Sequence, residues 1–287
     1  KMFKMDLPLR VRSLIGIIPM LATQVIRGEI SNPIIQVIES FCNHIDNKAT
    51  LGDHIKQLQQ PPNSPSEVDT DGQDLRTFEF ALVNEKKFVV MLDRILNENE
   101  FLSDYGLRSL SKYHDEHPFS LEGLLENKYG NILPIHIGYE PGRSASGVFG
   151  SKNSNWRGPI WVQMNYLFID MLRQRSMFQD ERDCKRPFPT LSEERLTYAE
   201  IADQLSLRLI RLFESKDELG RPCHGQNDRS IQFYRKQNWT TTYPEISESE
   251  LILFYEFFHG ENGSGLGASH QSWTTIVANL MHDLLSR

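Results

Sequence analysis

The stretch Thr197-Tyr-Ala-Glu-Ile-Ala-Asp-Gln-Leu-Ser-Leu-Arg-Leu-Ile-Arg-Leu212 indicates the fold class most directly. Thr197 and Glu200 have the spacing of a capping box, in which each side chain satisfies a backbone N–H group at the start of a helix. The apolar residues that follow lie on one stripe at helical spacing: Ile201, Leu205, Leu209 and Leu212. The stretch therefore predicts an amphipathic helix that buries one face.

Helical patterns of the same kind occur along much of the chain. Asn32 and Pro33 are typical of a helix start, and Ser247 with Glu250 forms a second capping box. The further predicted helices cover residues 33–41, 84–98, 159–179, 251–258 and 269–286. Because no segment alternates apolar and polar residues over a sustained length, we predict about seven to nine helices, no strand and an all-α fold.

Three long connections separate these helices. Residues 59–76 are rich in proline and acidic residues and are predicted to form a mobile surface loop. Residues 113–158 and 216–246 lack periodicity but contain many aromatic residues. Long loops in a compact domain are usually functional or disordered, so we expect these two aromatic connections to line a site.

Composition limits the possible functions. The chain has 287 residues, 24% of them charged and 39% hydrophobic, and a formal net charge of −7. This composition supplies a core and gives no electrostatic reason to bind nucleic acid. Its three cysteines include no close pair, and the apolar run over residues 14–26 is too short and interrupted to span a bilayer. We therefore expect no nucleic-acid partner, no membrane contact and a cytoplasmic location.

No metal site and no cofactor are predicted. His114-Asp-Glu-His117 lacks the His-Glu-x-x-His order of zinc proteases. The glycine-rich stretch Gly260–Gly267 follows a predicted helix rather than a strand and has no Lys-Ser/Thr end, which argues against phosphate binding. Its glycines are expected to let the backbone approach a ligand or another segment closely.

Glu256 is the strongest candidate for chemistry. It lies within Leu251-Ile-Leu-Phe-Tyr-Glu-Phe-Phe258, which predicts a helix that is apolar nearly all round. Partial burial and the negative end of a helix dipole both favour the protonated form of a carboxyl group, as proton transfer near neutral pH requires. The alternatives are a glutamate that pairs with an arginine or one that faces solvent.

The segment Asn155-Trp-Arg-Gly-Pro-Ile-Trp161 combines the residue types that bind sugars. Tryptophan faces offer flat apolar contact, while arginine and asparagine supply directed hydrogen bonds. Trp273 adds another aromatic residue at a predicted helix start, and Glu140 and Arg143 are further candidates from the long loop. Aromatic packing in the core is an equal alternative for the tryptophans.

Five segments together resemble glycoside hydrolase family 63, in the branch related to mannosyl-oligosaccharide glucosidase. They are Pro8-Leu-Arg-Val-Arg-Ser-Leu-Ile-Gly-Ile-Ile-Pro19, Glu100-Phe-Leu-Ser-Asp-Tyr-Gly-Leu-Arg-Ser-Leu-Ser-Lys-Tyr-His114, Asn153-Ser-Asn-Trp-Arg-Gly-Pro-Ile-Trp161, Phe254-Tyr-Glu-Phe-Phe-His-Gly260 and Gly265-Leu-Gly-Ala-Ser-His-Gln-Ser-Trp-Thr274. The resemblance runs through nearly the whole chain, in order. It implies an (α/α)6 toroid and an inverting α-glycosidase that acts on a gluco- or manno-saccharide.

The resemblance also assigns residues. The family's general base matches Glu256, and its sugar-contacting strip matches Trp156, Arg157, Gly158 and Trp161. In an inverting enzyme a second carboxyl group, about 6.5–9.5 Å away, protonates the leaving oxygen. The remaining substrate-binding residues that we predict are Asn155, Arg108, Ser111 and Trp273.

The family's general acid is an aspartate in a Trp-Asp motif upstream of the Arg-Val-Arg-Ser strip, and this sequence contains no Trp-Asp pair. The chain also begins at Lys1. We therefore expect residues 1–287 to be the C-terminal portion of a single toroid domain, incomplete at its N-terminal side. A sugar-binding or inactive enzyme-like module, a helical interaction scaffold and another toroid enzyme, trehalase-like or glycerate-glycoside hydrolase, remain alternatives.

Overall fold

The computed structural model describes ten parts of the chain: residues 9–29, 32–37, 40, 75–126, 132–143, 150–151, 154–178, 185–215, 220–225 and 252–286. The predicted loop at 59–76 lies outside them except for its last two residues, and so does the capping box at Ser247 and Glu250. Two compact units are present. The first unit comprises Lys1–Gly16, Asn99–Val162 and Leu209–Ile276, and the second comprises Ile17–Glu98, Gln163–Arg208 and Val277–Arg287.

The described helices lie where the periodicity predicted most of them. They are α1 (Ile18–Leu21), α2 (Glu85–Ile95), α3 (Tyr113–Glu116), α4 (Val162–Phe178), α5 (Tyr198–Ile210) and α6 (Val277–Leu285), with 3-10 turns at Leu14–Ile17, Pro222–His224 and Ser272–Ile276. Residues 33–37 are also helical. The predictions over 84–98, 159–179, 197–212 and 269–286 are thus confirmed in their main parts.

The predicted helix starts are built as expected. The Thr197 hydroxyl accepts from the Glu200 N–H at 3.2 Å, and the Glu200 carboxylate accepts from the Thr197 N–H at 2.7 Å. The side chain of Asn32 accepts from the N–H of Ile34 at 2.9 Å. These bonds satisfy N–H groups that have no partner inside the helix.

The expectation of no strand is wrong. The described strands are β1 (Thr23–Glu29), β2 (Leu75–Ala81), β3 (Leu102–Ser103), β4 (Gly106–Leu107), β5 (Phe119–Glu126), β6 (Ile132–Ile137), β7 (Gly150–Ser151), β8 (Ser154–Asn155), β9 (Arg186–Pro187), β10 (Arg195–Leu196), β11 (Phe257–Phe258) and β12 (Gly265–Leu266). They form six antiparallel pairs: β1 with β2, β3 with β4, β5 with β6, β7 with β8, β9 with β10, and β11 with β12. The fold therefore mixes helices and short strands, and the all-α prediction holds only in part; the toroid stays a prediction.

Strand β2 shows why alternation failed as a signal. Its residue Glu79 is buried, whereas Phe80 is only half-buried. In a half-buried strand the apolar side chains are expected to face the core and the polar ones the solvent. At Glu79 and Phe80 the reverse holds, because the carboxylate is the more buried of the two side chains.

The helix predicted over 251–258 is a second correction. Residues 252–258 are not helical: Phe254 bridges His270, Glu256 lies at a bend, and Phe257 and Phe258 form β11. Leu253, Tyr255 and Phe257 are buried, while Phe254 and Glu256 are half-buried, so burial alternates from residue 253 to residue 257; Phe258 is buried as well. The helix end invoked for Glu256 therefore does not exist.

Two arginines of α4 form ion pairs with other elements of the second unit. Arg175 is 1% exposed; its Nε lies 3.2 Å from Oε1 of Glu79, and its guanidinium also pairs with Glu85 and stacks 3.8 Å over the ring of Phe88. Arg173 is also buried, and it pairs with Asp203 of α5 and Asp283 of α6. Both arginines therefore fix the contacts of α4 with specific neighbours.

Within the described residues, no helix combines the length and apolar character needed to cross a bilayer. The same part of the chain contains no group of three His, Cys, Asp or Glu side chains arranged to hold a metal ion.

Candidate active site

Backbone pairing in the first unit brings three of the sequence motifs side by side. Arg108, at the end of β4, bridges Ile160, and Ile160 bridges Phe258 of β11. The second bridge has both hydrogen bonds, at 2.8 and 2.9 Å between the backbone atoms of Ile160 and Phe258. Segments some 50 and 100 residues apart in the sequence thus form one continuous framework.

Glu256 stands at the open end of a hairpin formed by β11 and β12. Its N–H donates to the carbonyl of Ala268 at 2.8 Å, and its Oε2 accepts from the N–H of Ala268 at 3.3 Å. A Cβ atom on Gly267, which has φ of +75°, would lie 2.5 Å from Oε2 of Glu256. Glycine is therefore required at 267, because any side chain would displace the carboxylate.

Trp273 lies directly beside Glu256. Its Nε1 donates to the backbone carbonyl of Glu256 at 3.1 Å, and the hydroxyl of Thr274 donates to the carbonyl of Tyr255 at 2.6 Å. The Trp273 side chain is nevertheless 38% exposed. The structure thus holds an accessible indole against the backbone of a half-buried carboxylate.

Trp156, Trp161 and Phe257 form a stack of three rings. The ring centroids of Trp156 and Trp161 lie 4.2 Å apart, and the two planes make an angle of 8°. The ring centroids of Trp161 and Phe257 lie 4.9 Å apart, with an interplanar angle of 26°. Trp161 is only 3% exposed, and its Nε1 donates to the carbonyl of Asn155. Trp161 is therefore a core residue, whereas the half-buried Trp156 forms the accessible end of the stack.

Asn155 and Arg157 are buried and hold the neighbouring loop. Arg157 pairs with Glu140 at 2.6 Å and donates to the carbonyl of His136 at 3.1 Å. The Asn155 amide donates to the carbonyls of Glu140 and Gly142. Both side chains thus hold the loop through hydrogen bonds and an ion pair. Arg143 on the same loop is exposed.

Gly158 allows a close approach of the backbone to Tyr139. Its φ is +141°, and a Cβ atom there would lie 2.5 Å from the Tyr139 ring. Gly158 is buried, and its lack of a side chain lets the backbone pack against Tyr139. The glycines of the 260–267 loop act similarly, since a Cβ on Gly260 would lie 2.6 Å from the carbonyl of Gly158.

Arg108 and Ser111 are buried and bound to carboxylates of the first unit. Nε of Arg108 lies 3.1 Å from Oε1 of Glu261, and the Ser111 hydroxyl donates to Glu100. The direct sugar contacts predicted for both side chains would require these interactions to rearrange.

Sequence reasoning did not identify Glu261 and Tyr139. The Tyr139 hydroxyl donates to Glu261, which also pairs with Lys112 at 3.3 Å. Burial raises the pKa of Tyr139. Burial alone would raise the pKa of Glu261 as well, but the bond from Tyr139 and the charge of Arg108 outweigh it and hold that pKa below its ordinary value. No spacing in the sequence signals this cluster, because its members lie in three separate segments.

No family model matches the chain. The chain is 34% identical over 286 residues to an uncharacterized protein of Saccharomyces cerevisiae, YMR196W; the match covers 98% of this chain and 23% of that protein. It is also 26% identical over 157 residues to a Schizosaccharomyces pombe protein named "Probable mannosyl-oligosaccharide glucosidase", covering 53% of this chain and 14% of that protein. The chain thus spans less than a quarter of the length of either relative, and about half of it resembles a protein named for glucosidase activity.

Proposed function

We propose that this chain is part of the catalytic domain of an inverting α-glycosidase related to glycoside hydrolase family 63. The observation that carries the proposal is the pairing of a half-buried carboxylate, Glu256, with an accessible indole, Trp273, on directly bonded segments. The partial similarity to a protein named for glucosidase activity supports the same reaction class.

In the proposed reaction Glu256 is the general base. Its Oε2 accepts the N–H of Ala268, which orients the carboxylate and leaves Oε1 to receive a proton from water. That water attacks the anomeric carbon while a carboxylic acid on the opposite face protonates the leaving oxygen. We propose that this acid lies outside the chain, since the family's Trp-Asp motif has no counterpart in it.

Trp273 and Trp156 are the proposed sugar contacts. An exposed ring face matches the apolar C–H face of a pyranose, and no charge complementarity is needed for a neutral saccharide. The remaining residues predicted to bind substrate are all buried, so we assign them to support the framework: Arg108, Ser111, Asn155, Arg157, Gly158 and Trp161.

The stereochemistry of the product tests the reaction class. The full-length protein that contains this chain should be incubated with α-linked gluco- and manno-disaccharides and followed by proton NMR. We expect the β-anomer to form first, because a water placed by a base opposite the leaving group inverts the anomeric carbon. An α-anomer as first product would contradict the assignment of Glu256 as a base.

Trp273→Ala is expected to raise KM about fivefold, because roughly 1 kcal/mol of ring contact is lost. Trp273→Phe is the matched variant: it retains a ring face but lacks the N–H that bonds Glu256. The KM of Trp273→Phe should therefore be close to that of the wild-type protein. Its kcat should be lower than wild type, because the hydrogen bond to the backbone carbonyl of Glu256 is lost. The measurement is steady-state hydrolysis of the preferred disaccharide. Equal KM values for all three proteins would exclude Trp273 from the sugar site.

A further inference from the structure

His259 occupies the turn of the hairpin that carries Glu256. Its Nδ1 accepts the backbone N–H of Glu261 at 3.1 Å and that of Asn262 at 3.4 Å. A ring nitrogen accepts a hydrogen bond only when it carries no proton. These two bonds therefore require neutral His259 with its proton on Nε2.

The turn sets the alignment of the two hairpin strands. The His259 N–H donates to the carbonyl of Ser264 at 2.8 Å, and the Gly263 N–H donates to the carbonyl of His259 at 3.0 Å. In a hairpin the turn fixes the register, and a slip of one residue moves every side chain to the other face. The same register places the N–H of Ala268 against the carboxylate of Glu256.

The second strand depends on this turn more than the first. The first strand is held independently, because Phe258 exchanges two backbone bonds with Ile160. The second strand is aligned before Ala268 by the turn and by its pairing with the first strand, and after Ala268 by bonds from Gln271, Trp273 and Thr274 to the backbone of residues 254–256. Loosening the turn would therefore free the side of Ala268 that leads to the turn and weaken its bond to the Glu256 carboxylate.

Of the ionisable groups around the hairpin turn, His259 is the one expected to change its charge in mild acid. Burial lowers the pKa of His259 below its ordinary 6.5, against an opposing contribution from Glu261. Glu261 itself stays ionised in mild acid, because Tyr139, Arg108 and Lys112 surround it and its pKa is lowered. The loop that faces His259 through Gly142 contributes Glu140, paired with Arg157, and the exposed Arg143.

We propose that neutral His259 is a positioning residue, which locks the hairpin turn, keeps Glu256 in register and releases the turn when protonated in acid. Because its folded-state pKa is lowered, His259 stabilises the hairpin above about pH 6.5, and this contribution is lost as the pH falls through the folded-state pKa. The catalytic part of this inference rests on the proposed function, and the structural part does not.

Hydrogen–deuterium exchange of the full-length protein tests the structural part. Peptides covering residues 257–268 are followed from pH 7.5 to 4.5, after correction for the intrinsic pH dependence of amide exchange. In the wild-type protein we expect protection to fall by up to about tenfold per pH unit as the pH drops from about 6.5 to the folded-state pKa of His259, and to level off below it. His259→Asn is the matched variant, since its Oδ1 can accept the same two N–H groups but does not titrate.

His259→Asn should keep protection independent of pH, and His259→Ala should lack it throughout. Identical pH dependence in wild-type and His259→Asn proteins would overturn the proposal, and so would full protection in His259→Ala. If His259→Ala does not fold, the comparison of the other two proteins still decides.

Hydrolysis provides the catalytic readout. We expect His259→Ala to lower kcat more than it raises KM, and His259→Asn to restore kcat and remove the acid loss from the pH profile. If hydrogen–deuterium exchange gives the expected result but none of the three proteins hydrolyses α-glycosides, the proposed function is wrong, whereas the structural role of His259 in the turn stands. If hydrolysis is found but kcat does not depend on residue 259, His259 is not a positioning residue for Glu256.

Discussion

Glu256→Gln in the full-length protein is expected to lower kcat by about 100- to 10,000-fold, the range typical for loss of a general base, while KM changes little. Glutamine preserves the shape of the side chain and can still accept the N–H of Ala268, so the hairpin should persist. What it cannot do is take a proton from water. The loss should therefore appear in the chemical step rather than in substrate binding.

Glu116→Gln is the matched control for this variant. Glu116 is an exposed carboxylate at the end of α3 in the same unit, so its loss removes the same charge without touching the hairpin. We expect its kcat to equal that of the wild-type protein. The measurement is the initial rate on an α-linked disaccharide over a range of concentrations. A kcat for Glu256→Gln within threefold of wild type would exclude Glu256 as the base.

The helices were predictable because their signals are local. The capping box of Thr197 and Glu200 and the stripe that follows need no knowledge of the rest of the fold. The non-helical segment around Glu256, with the bridge at Phe254 and the strand β11, was not predictable in the same way. A short apolar run fits a buried helix or a buried strand equally, and its partners, Ile160 and His270, lie outside the segment.

The contacts of the predicted sugar-binding residues could not be read from the sequence. Arg157 and Arg108 have the composition of a sugar-binding strip, yet both are buried against carboxylates. Those partners, Glu140 and Glu261, lie 17 and 153 residues away, so no spacing rule could reveal the pairs. Trp156, Glu256 and Trp273 remain accessible enough to meet a ligand.

Arg175→Met is expected to destabilise the second unit by about 1.4 kcal/mol more at pH 8 than at pH 5, because Glu79, buried without its cation, must take up at pH 8 the proton that it has lost beside Arg175. Glu79 is 2% exposed, and burial raises its pKa to about 7 even with Arg175 beside it. A raised folded-state pKa means that stability present below pH 4.5 is lost as the pH rises through 7. At pH 5 Glu79 is neutral with or without Arg175, so this charge-dependent part of the loss should be absent there.

Urea unfolding followed by circular dichroism at 222 nm measures this loss, because α2, α4 and α5 lie largely in the second unit. Tryptophan fluorescence is less suitable, since Trp156, Trp161 and Trp273 lie in the first unit. Arg173→Met is the matched control on the same helix. Its partners, Asp203 and Asp283, are 30% and 37% exposed and can be solvated, so we expect a loss of about 1 kcal/mol with little dependence on pH.

The double variant Arg175→Met/Glu79→Leu should recover most of the stability lost in Arg175→Met, because an apolar pair can replace a buried ion pair. Equal losses at pH 5 and pH 8 for Arg175→Met would mean that its packing over Phe88, and not the charge of Glu79, accounts for its effect.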